Sequence, residues 1–288
     1  MKKIPEIIYE NYNPKTQGFE LIKLSELFVK IKKPIDHNPH LPHKLSFNII
    51  LIITSGETTH LVDFNKHHLK AGDSLLISKG QMHAFNTLLK FDGYIIVFTE
   101  AFMQKFVAQS ALTKISYCYN YFLRQEKIYA PLLHQQFIKI FREEVKINTS
   151  NISNILGAYL SIFLIKLSDQ SLQNTPQLSA GKNYDYFIQF KKLVETNFSK
   201  TRDAKDYAHE ICISYKHLNT VSKNVIGITA KSFIDNFVIL EAKRMLVSTV
   251  LSVKEIAFKI GFEEPTNFQK YFKKHTQLTP AVFRKNIV

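Results

Sequence analysis

Several features are scarce in this 288-residue sequence, and each scarcity excludes a class of protein. The only two cysteines, Cys118 and Cys212, are far apart and lack the spacing of a metal site. This excludes a disulfide scaffold, suits a reducing cytoplasm, and leads us to expect two buried core thiols. The basic N-terminus has no apolar core behind it, so no signal peptide is expected. The most apolar runs, "FNIILIIT" and "AYLSIFLIKL", are too short to cross a bilayer.

Acidic side chains are also in short supply. The chain has 38 Lys and Arg against 24 Asp and Glu, a net charge of +14. Residues 181–288 contain 18 basic and 10 acidic side chains, whereas residues 1–180 contain 20 and 14, so the C-terminal part is the more basic per residue. A basic surface attracts nucleic acid or an anionic membrane, although it also serves solubility. The C-terminal part is therefore the first candidate for nucleic-acid binding.

The rest of the chain divides into parts of different periodicity. Residues 44–99 contain short apolar pieces separated by turn residues, which predicts an antiparallel barrel or sandwich. Apolar residues at intervals of three and four predict two amphipathic helices within 131–168. The polar stretch "DQSLQNTPQLSAGKN" indicates a linker, and a helical pattern follows it. We predict an α+β protein with an N-terminal domain at 1–170, a linker at 171–183 and an all-α domain at 184–288.

The helical part contains two copies of one local pattern. Ala257 is followed four residues later by Gly261, and Ala208 is followed four residues later by Cys212. A small residue lets the next helix cross closely, and a residue that tolerates left-handed backbone makes the tight turn. These are the requirements of a helix-turn-helix. A long helical pattern, "AKSFIDNFVILEAKRMLV", joins the two units.

These motifs resemble the DNA-binding domain of the arabinose-operon regulator (AraC/XylS) family. The resemblance rests on "EAKRML", "SVKEIAFKIGF", "NFQKYFKKHTQLTP" and the final "FR", and it covers 184–288. It implies two helix-turn-helix units that insert their second helices into successive major-groove faces on one side of the DNA. The sequence departs from the family pattern at four positions, Thr220, Ser222, Val238 and Gln277, so the first unit is the less typical one.

Side chains at the start of each recognition helix are the candidates for DNA contact, because that end of the helix approaches base edges. In the first unit these are Tyr215, Lys216, His217, Asn219 and Thr220. In the second unit they are Glu264, Pro265, Thr266, Asn267 and Lys270. Phosphate contacts are expected from Lys223, Lys273 and Lys274. Asn219 is suited to read adenine and Lys216 to donate to guanine. Core positions are expected at Leu218, Ile256, Ile260, Phe268 and Phe272.

The N-terminal domain resembles the cupin barrels in the stretch "AGDSLLISKGQMHAFN", with Gly72, Gly80, His83 and Asn86 approximating a cupin motif. If an effector binds, we expect it inside the barrel, at His43, Phe47, Ile49, Leu51 and His83, although the apolar residues serve equally as packed core. His43 and His83 supply only two of the three or more ligands that a metal needs, so no metal or other cofactor is expected. His37, His40, His60, His67 and His68 are interpreted as surface or turn residues.

Three functions remain open on the sequence. The leading hypothesis is a cytoplasmic bacterial transcription regulator, more often an activator in the family that it resembles, with double-stranded promoter DNA as partner. The resemblance further implies a small-molecule effector, RNA polymerase as a partner, and a homodimer formed through the helices at 131–168. A metal-dependent cupin enzyme fused to a DNA-binding tail is the alternative. A basic RNA-binding module is the third, but it lacks the motifs of single-strand readers.

Overall fold

The computed structural model describes residues 4–10, 15–30, 40–85, 90–112, 127–147, 149–173 and 182–287. The chain divides into two compact units. Apart from short pieces, the N-terminal unit spans residues 5–174 and the C-terminal unit begins at Thr175. Cys118, Asn86 and His37 lie outside the described residues.

The strands found among the described residues all belong to the N-terminal unit. They are β1 (Glu6–Ile7), β2 (Phe19–Lys23), β3 (His43–Leu45), β4 (Asn48–Val62), β5 (Asn65–Lys70), β6 (Asp73–Ile77), β7 (Met82–Ala84), β8 (Phe91–Phe98) and β9 (Ile128–Tyr129). The helices of this unit are α1 (Leu24–Lys30), α2 (Glu100–Phe106), α3 (Pro131–Ile147) and α4 (Ile152–Gln173). The two helices predicted within 131–168 are confirmed as α3 and α4, but only α3 is clearly amphipathic, since α4 is apolar around most of its surface.

Strand β4 organises this unit because it pairs with four other strands. Its first half lies between β6 and β8, and its second half pairs with β5 and β7, all antiparallel. A register shift between Ile53 and Ser55 marks a bulge, which bends a strand and increases its twist. Strand β2 extends the sheet beyond β8, and β3 pairs with β7 and, in parallel, with β1. The result is a curled, mainly antiparallel half-barrel, which confirms the predicted fold class.

The apolar run in β4 is buried on both faces. Ile49, Leu51 and Ile53 belong to a core cluster inside the curled sheet, whereas Ile50 and Ile52 belong to a second cluster between the sheet and the helices α2, α3 and α4. Because both faces of this part of the strand are covered, the sequence there reads as a continuous apolar run and not as an alternation.

Helices α3 and α4 hold an aromatic layer against the sheet. The rings of Phe137 and Phe163 have their centroids 5.0 Å apart, and Phe141 packs 5.1 Å from Phe19 of β2. By length and composition, the segment Ile152–Gln170 of α4 could cross a membrane, yet more than half of it is buried inside the unit. Such burial is typical of a core helix.

The described residues of the C-terminal unit are helical. The helices are α5 (Lys182–Asn197), α6 (Ala204–Glu210), α7 (Tyr215–Ile226), α8 (Ala230–Ser248), α9 (Val253–Lys259), α10 (Pro265–Thr276) and α11 (Pro280–Ile287). Helix α8 is apolar on most sides, and twelve of its 19 residues are buried, as in a helix that runs through a core. At about 1.5 Å per residue it is about 28 Å long.

Candidate nucleic-acid interface

Two turns of the same geometry separate α6 from α7 and α9 from α10. Ile213 N–H donates to Ala208 O at 3.0 Å, and Phe262 N–H donates to Ala257 O at 2.9 Å. In both turns the preceding residue donates to the carbonyl three residues back, which completes a Schellman motif. That preceding residue has positive φ in each case, +56° at Cys212 and +86° at Gly261. The two predicted helix-turn-helix units therefore have turns of the same geometry.

Cys212 is exposed, so the expectation of a buried thiol was wrong for this residue. Cys212 occupies the left-handed position of the turn, and its thiol is exposed there. Glycine is the usual residue in this backbone conformation, because other side chains cost about 1–2 kcal/mol there. Gln277 is a second residue of this kind: it ends α10 with φ +63° at a position where the family pattern has Gly.

The start of α7 carries exposed side chains above a buried anchor. Ser214 caps the helix by accepting a hydrogen bond from His217 N–H at 3.1 Å. Tyr215, Lys216 and Thr220 are exposed, whereas Leu218 beneath them is fully buried. The other three predicted contact residues of this helix differ in exposure, since Lys223 is exposed and His217 and Asn219 are half-buried. Ser222, one of the departures from the family pattern, is buried.

The start of α10 has the same arrangement. Pro265 occupies the first helical position, where its missing N–H costs nothing. The predicted contact residues Glu264, Thr266, Asn267, Lys270, Lys273 and Lys274 are all exposed. Phe268 and Phe272 are fully buried on the opposite side and confirm the predicted core, as do Ile256 and Ile260. These six exposed residues at and after the start of α10 therefore present three lysines, one amide, one hydroxyl and one carboxylate.

Asn219 differs from its neighbours in what its amide does. Its Oδ1 accepts a hydrogen bond from the backbone N–H of Ala230 at 3.1 Å. Ala230 is the first residue of α8, so this bond satisfies one of the open N–H groups at that helix terminus. A bidentate adenine contact needs the same oxygen. The geometry therefore gives Asn219 a positioning role between α7 and α8, and its base contact stays a prediction.

Two other departures from the family pattern are accommodated inside the unit. Ser222 is fully buried, and its hydroxyl donates to Ile228 O at 2.8 Å, in the turn before α8. Val238 is fully buried within α8. Asn219 therefore bonds the first recognition helix to the start of α8, and Ser222 bonds it to the turn that precedes α8.

Sequence reasoning missed Arg202, which lies between α5 and α6. Its guanidinium lies 3.9 Å from the centroid of the Phe262 ring and donates to Gly261 O at 3.0 Å. An arginine in a polar loop gives no sequence signal of such a contact. Arg284 was included only as part of the final "FR": its guanidinium donates to Leu246 O at 2.8 Å and to Leu251 O at 2.7 Å, which holds α11 against the end of α8.

The N-terminal unit brings the predicted pocket residues together. His43 and His83 are cross-strand partners with ring centroids 4.2 Å apart, and both are buried. Phe47, Ile49 and Leu51 lie in the buried cluster inside the sheet, and Phe85 of that cluster packs 5.7 Å from His83.

His60 is fully buried, so its interpretation as a surface or turn residue was wrong. Its Nε2 lies 3.1 Å from Nδ1 of His83, within hydrogen-bond distance. Burial, reinforced by His43 and His67, lowers the pKa of His60 to about 3, so the ring is neutral at pH 7. Thr58, His60 and Val62 are buried at alternate positions of β4, and the only sequence signal for His60 was its place two residues before Val62 on the same face of a strand. Within the described residues, no group of three or more His, Cys, Asp or Glu is placed to hold a metal ion.

The chain is similar to known proteins in both units. Residues 35–138 match the family described as "AraC-like ligand binding domain", and residues 207–286 match the "Helix-turn-helix domain" family. One curated relative is a probable transcription factor, PqrA of Proteus vulgaris, 32% identical over 97 residues, which are 33% of this chain and 80% of that protein. Another is the transcriptional activator RhaR of Mannheimia succiniciproducens, 20% identical over 93% of this chain and 99% of that protein.

Among solved structures, ToxT from Vibrio cholerae is 13% identical, covering 93% of this chain and 98% of that chain, with a TM-score of 0.47.

Proposed function

Because this chain belongs to the AraC family of DNA-binding transcription regulators, we propose that α7 and α10 enter successive major-groove faces on one side of promoter DNA. One observation carries the proposal: each of the two helices has exposed polar side chains at its start and a fully buried anchor beneath them. Helix α8 between the two units is about 28 Å long, comparable with the roughly 34 Å of one DNA turn.

We assign the contacts by residue type. On α10, Asn267 reads adenine through its amide, Glu264 accepts from cytosine, and Lys270 donates to guanine. Thr266 and Pro265 line the same helix start. On α7, Lys216 donates to a guanine, with Tyr215, His217 and Thr220 beside it. The exposed Lys223, Lys273 and Lys274 contact phosphates. We leave Asn219 out of the base-reading set because its oxygen already accepts a hydrogen bond from Ala230 N–H.

We assign regulation to the N-terminal unit. The half-barrel interior around His43 and His83 receives a small-molecule effector, and the exposed faces of α3 and α4 form a homodimer. Binding an effector shifts the population of DNA-competent arrangements, which requires different affinities for the two states. RNA polymerase is the partner through which bound protein activates transcription in the cytoplasm. The proposal includes no enzymatic step.

Selection of bound fragments from random duplex DNA, at near-physiological salt, tests the DNA-binding proposal. We expect a motif with two short boxes centred about 10 base pairs apart. One box alone would mean that α7 has no base readout. Weak binding without a motif, lost as salt rises, would mean that the net charge of +14 drives a nonspecific attraction only. Preference for single-stranded RNA over duplex DNA would contradict the assignment altogether.

A further inference from the structure

The second recognition helix is joined to α8 by a hydrogen bond between side chains. The hydroxyl of Tyr271, on α10, donates to Oδ1 of Asp235, on α8, at 2.7 Å. Asp235 also forms an ion pair with Lys231, one turn earlier on α8. Only 14% of the Asp235 side chain is exposed. A hydrogen bond to an ionised acceptor is shorter and stronger than one between neutral groups, and here it is sheltered from water.

Two further side chains link the same tyrosine to the first helix-turn-helix unit. Its ring packs against Phe262, in the turn of the second unit, with centroids 5.2 Å apart. The guanidinium of Arg202 lies 3.9 Å from the centroid of Phe262. Arg202 directly precedes Asp203, the N-cap of α6. Contacts therefore run without a gap from the start of the first unit, through Arg202, Phe262 and Tyr271, to Asp235 on α8.

Neither Asp235 nor Tyr271 is placed for DNA contact. Asp235 is mostly buried, and its carboxylate would be repelled by DNA phosphates. Tyr271 is half-buried and makes its hydrogen bond within the protein. Tyr271 lies on the side of α10 that faces Asp235 of α8, whereas Lys270 and Lys273 are exposed. The side chains of Asp235 and Tyr271 therefore hold the two helix-turn-helix units in position and do not bind DNA.

A connecting helix alone leaves one motion open. The four residues 249–252 join α8 to α9, and rotation there would turn α10 relative to α7. A contact from α10 back to α8, together with a contact from the first unit to the turn of the second, opposes this rotation. Resting on the proposed function, we propose that Arg202, Phe262, Tyr271 and Asp235 form a brace that sets the spacing of the two operator boxes. These four are positioning residues, and the brace determines which spacing the protein selects.

Spacing is a sensitive measure of this arrangement. Moving one box by a single base pair shifts it by about 3.4 Å along the axis and about 35° around it. A rigid pair of helices cannot follow such a shift, so one box loses its contacts. A pair that can rotate follows it more easily. We therefore expect the brace to affect the ratio of affinities between spacings more than the affinity for the preferred site.

The test uses the full-length protein and the two-box site obtained by selection. Affinity is measured by fluorescence anisotropy on the selected site and on sites with one base pair inserted or deleted between the boxes. Tyr271→Phe removes only the hydroxyl and keeps the ring against Phe262. Arg202→Gln removes the guanidinium at the other end of the brace. Thr276→Val is the matched control, because the partners of the Thr276 hydroxyl among the described residues are Phe272 O, Leu278 O and Leu278 N–H, all within or next to α10.

We expect the wild type to prefer its own spacing by at least tens of fold. Tyr271→Phe and Arg202→Gln should each reduce that ratio by fivefold or more, and the control should leave it unchanged. The proposal is overturned if the ratio stays the same in both variants, or if affinity falls by the same factor on every spacing. A wild type that tolerates all spacings also overturns it. If selection yields no two-box site, the proposed function fails first, and the outcomes of the two tests remain distinguishable.

Discussion

A Cβ atom on Gly261 would lie 1.7 Å from the backbone carbonyl oxygen of Ser199, so the turn of the second helix-turn-helix packs directly on the chain preceding the first. Gly261 also has φ +86°. Gly261→Ala should therefore lower the free energy of unfolding by more than about 3 kcal/mol, from left-handed strain and steric overlap together. Urea denaturation measures it.

The control for this substitution is Gly227→Ala. Gly227 has φ +74°, but nothing lies within 4 Å of the position of its missing Cβ. It should cost only about 1–2 kcal/mol, from strain alone. Equal losses in the two variants would show that the contact with Ser199 is unimportant.

Asn219→Ala should affect stability and leave base preference intact. The bond from Ala230 N–H to Asn219 Oδ1 acts as a cap, and losing a cap costs about 1 kcal/mol. Repeating the selection with this variant should return the same first box. Lys216→Ala provides the comparison, because it should weaken DNA binding without changing the unfolding midpoint. Loss of one adenine from the selected motif, at unchanged stability, would restore Asn219 as a base reader.

Lys273→Ala and Asn267→Ala should weaken DNA binding in two different ways. Removing the Lys273 phosphate contact weakens binding to all sequences alike and reduces the slope of log affinity against log salt by about 1. Removing the Asn267 amide costs about 1–3 kcal/mol at a single base pair and leaves the slope unchanged. Titrations at several salt concentrations, on matched and mismatched sites, separate the two. Lys66→Ala, on the exposed strand β5, should change neither quantity.

Lowering the pH should destabilise the N-terminal unit through His60. Its pKa is about 3 in the folded chain and about 6.5 unfolded, so between these values the unfolded chain binds more protons. The stabilisation is complete above pH 6.5 and is lost as the pH falls toward 3, by on the order of 2 kcal/mol at pH 5. His134, whose pKa burial lowers to about 4, acts in the same direction.

Thermal unfolding of the full-length chain at pH 7 and pH 5 measures this effect. His60→Gln should flatten the pH dependence and leave a smaller slope from His134. His68→Gln is the control, because His68 is exposed beside Glu57 on the neighbouring strand. A pH dependence that is unchanged in His60→Gln would contradict the assignment.

Much of the helical unit was predictable from local sequence. The small residue and the turn residue, Ala257 with Gly261 and Ala208 with Cys212, occur four apart in both copies, and turn geometry depends on backbone that neighbouring residues specify. The exposed faces of α7 and α10 followed from the same periodicity. Exposure of Cys212 did not follow, because a cysteine in a helical pattern is usually buried.

The roles of polar residues were less predictable. Asn219 has the residue type and position of a base reader, and only the start of α8 beside it shows where its oxygen is used. His60 was misassigned because histidine has no fixed preference for surface or core. Its neighbour His83 belongs to a different strand, so their contact depends on strand register.

The sequence by itself determined that this chain has a strand-rich unit followed by two helix-turn-helix units on a basic helical domain, because periodicity, turn chemistry and charge are local properties. The tertiary structure alone decided which polar side chains remain available for DNA and which hold the reader together. Asn219, Arg202, Asp235 and Tyr271 have their partners 11 to 60 residues away in the chain. Contacts across such separations depend on how the helices pack, which a local pattern does not encode.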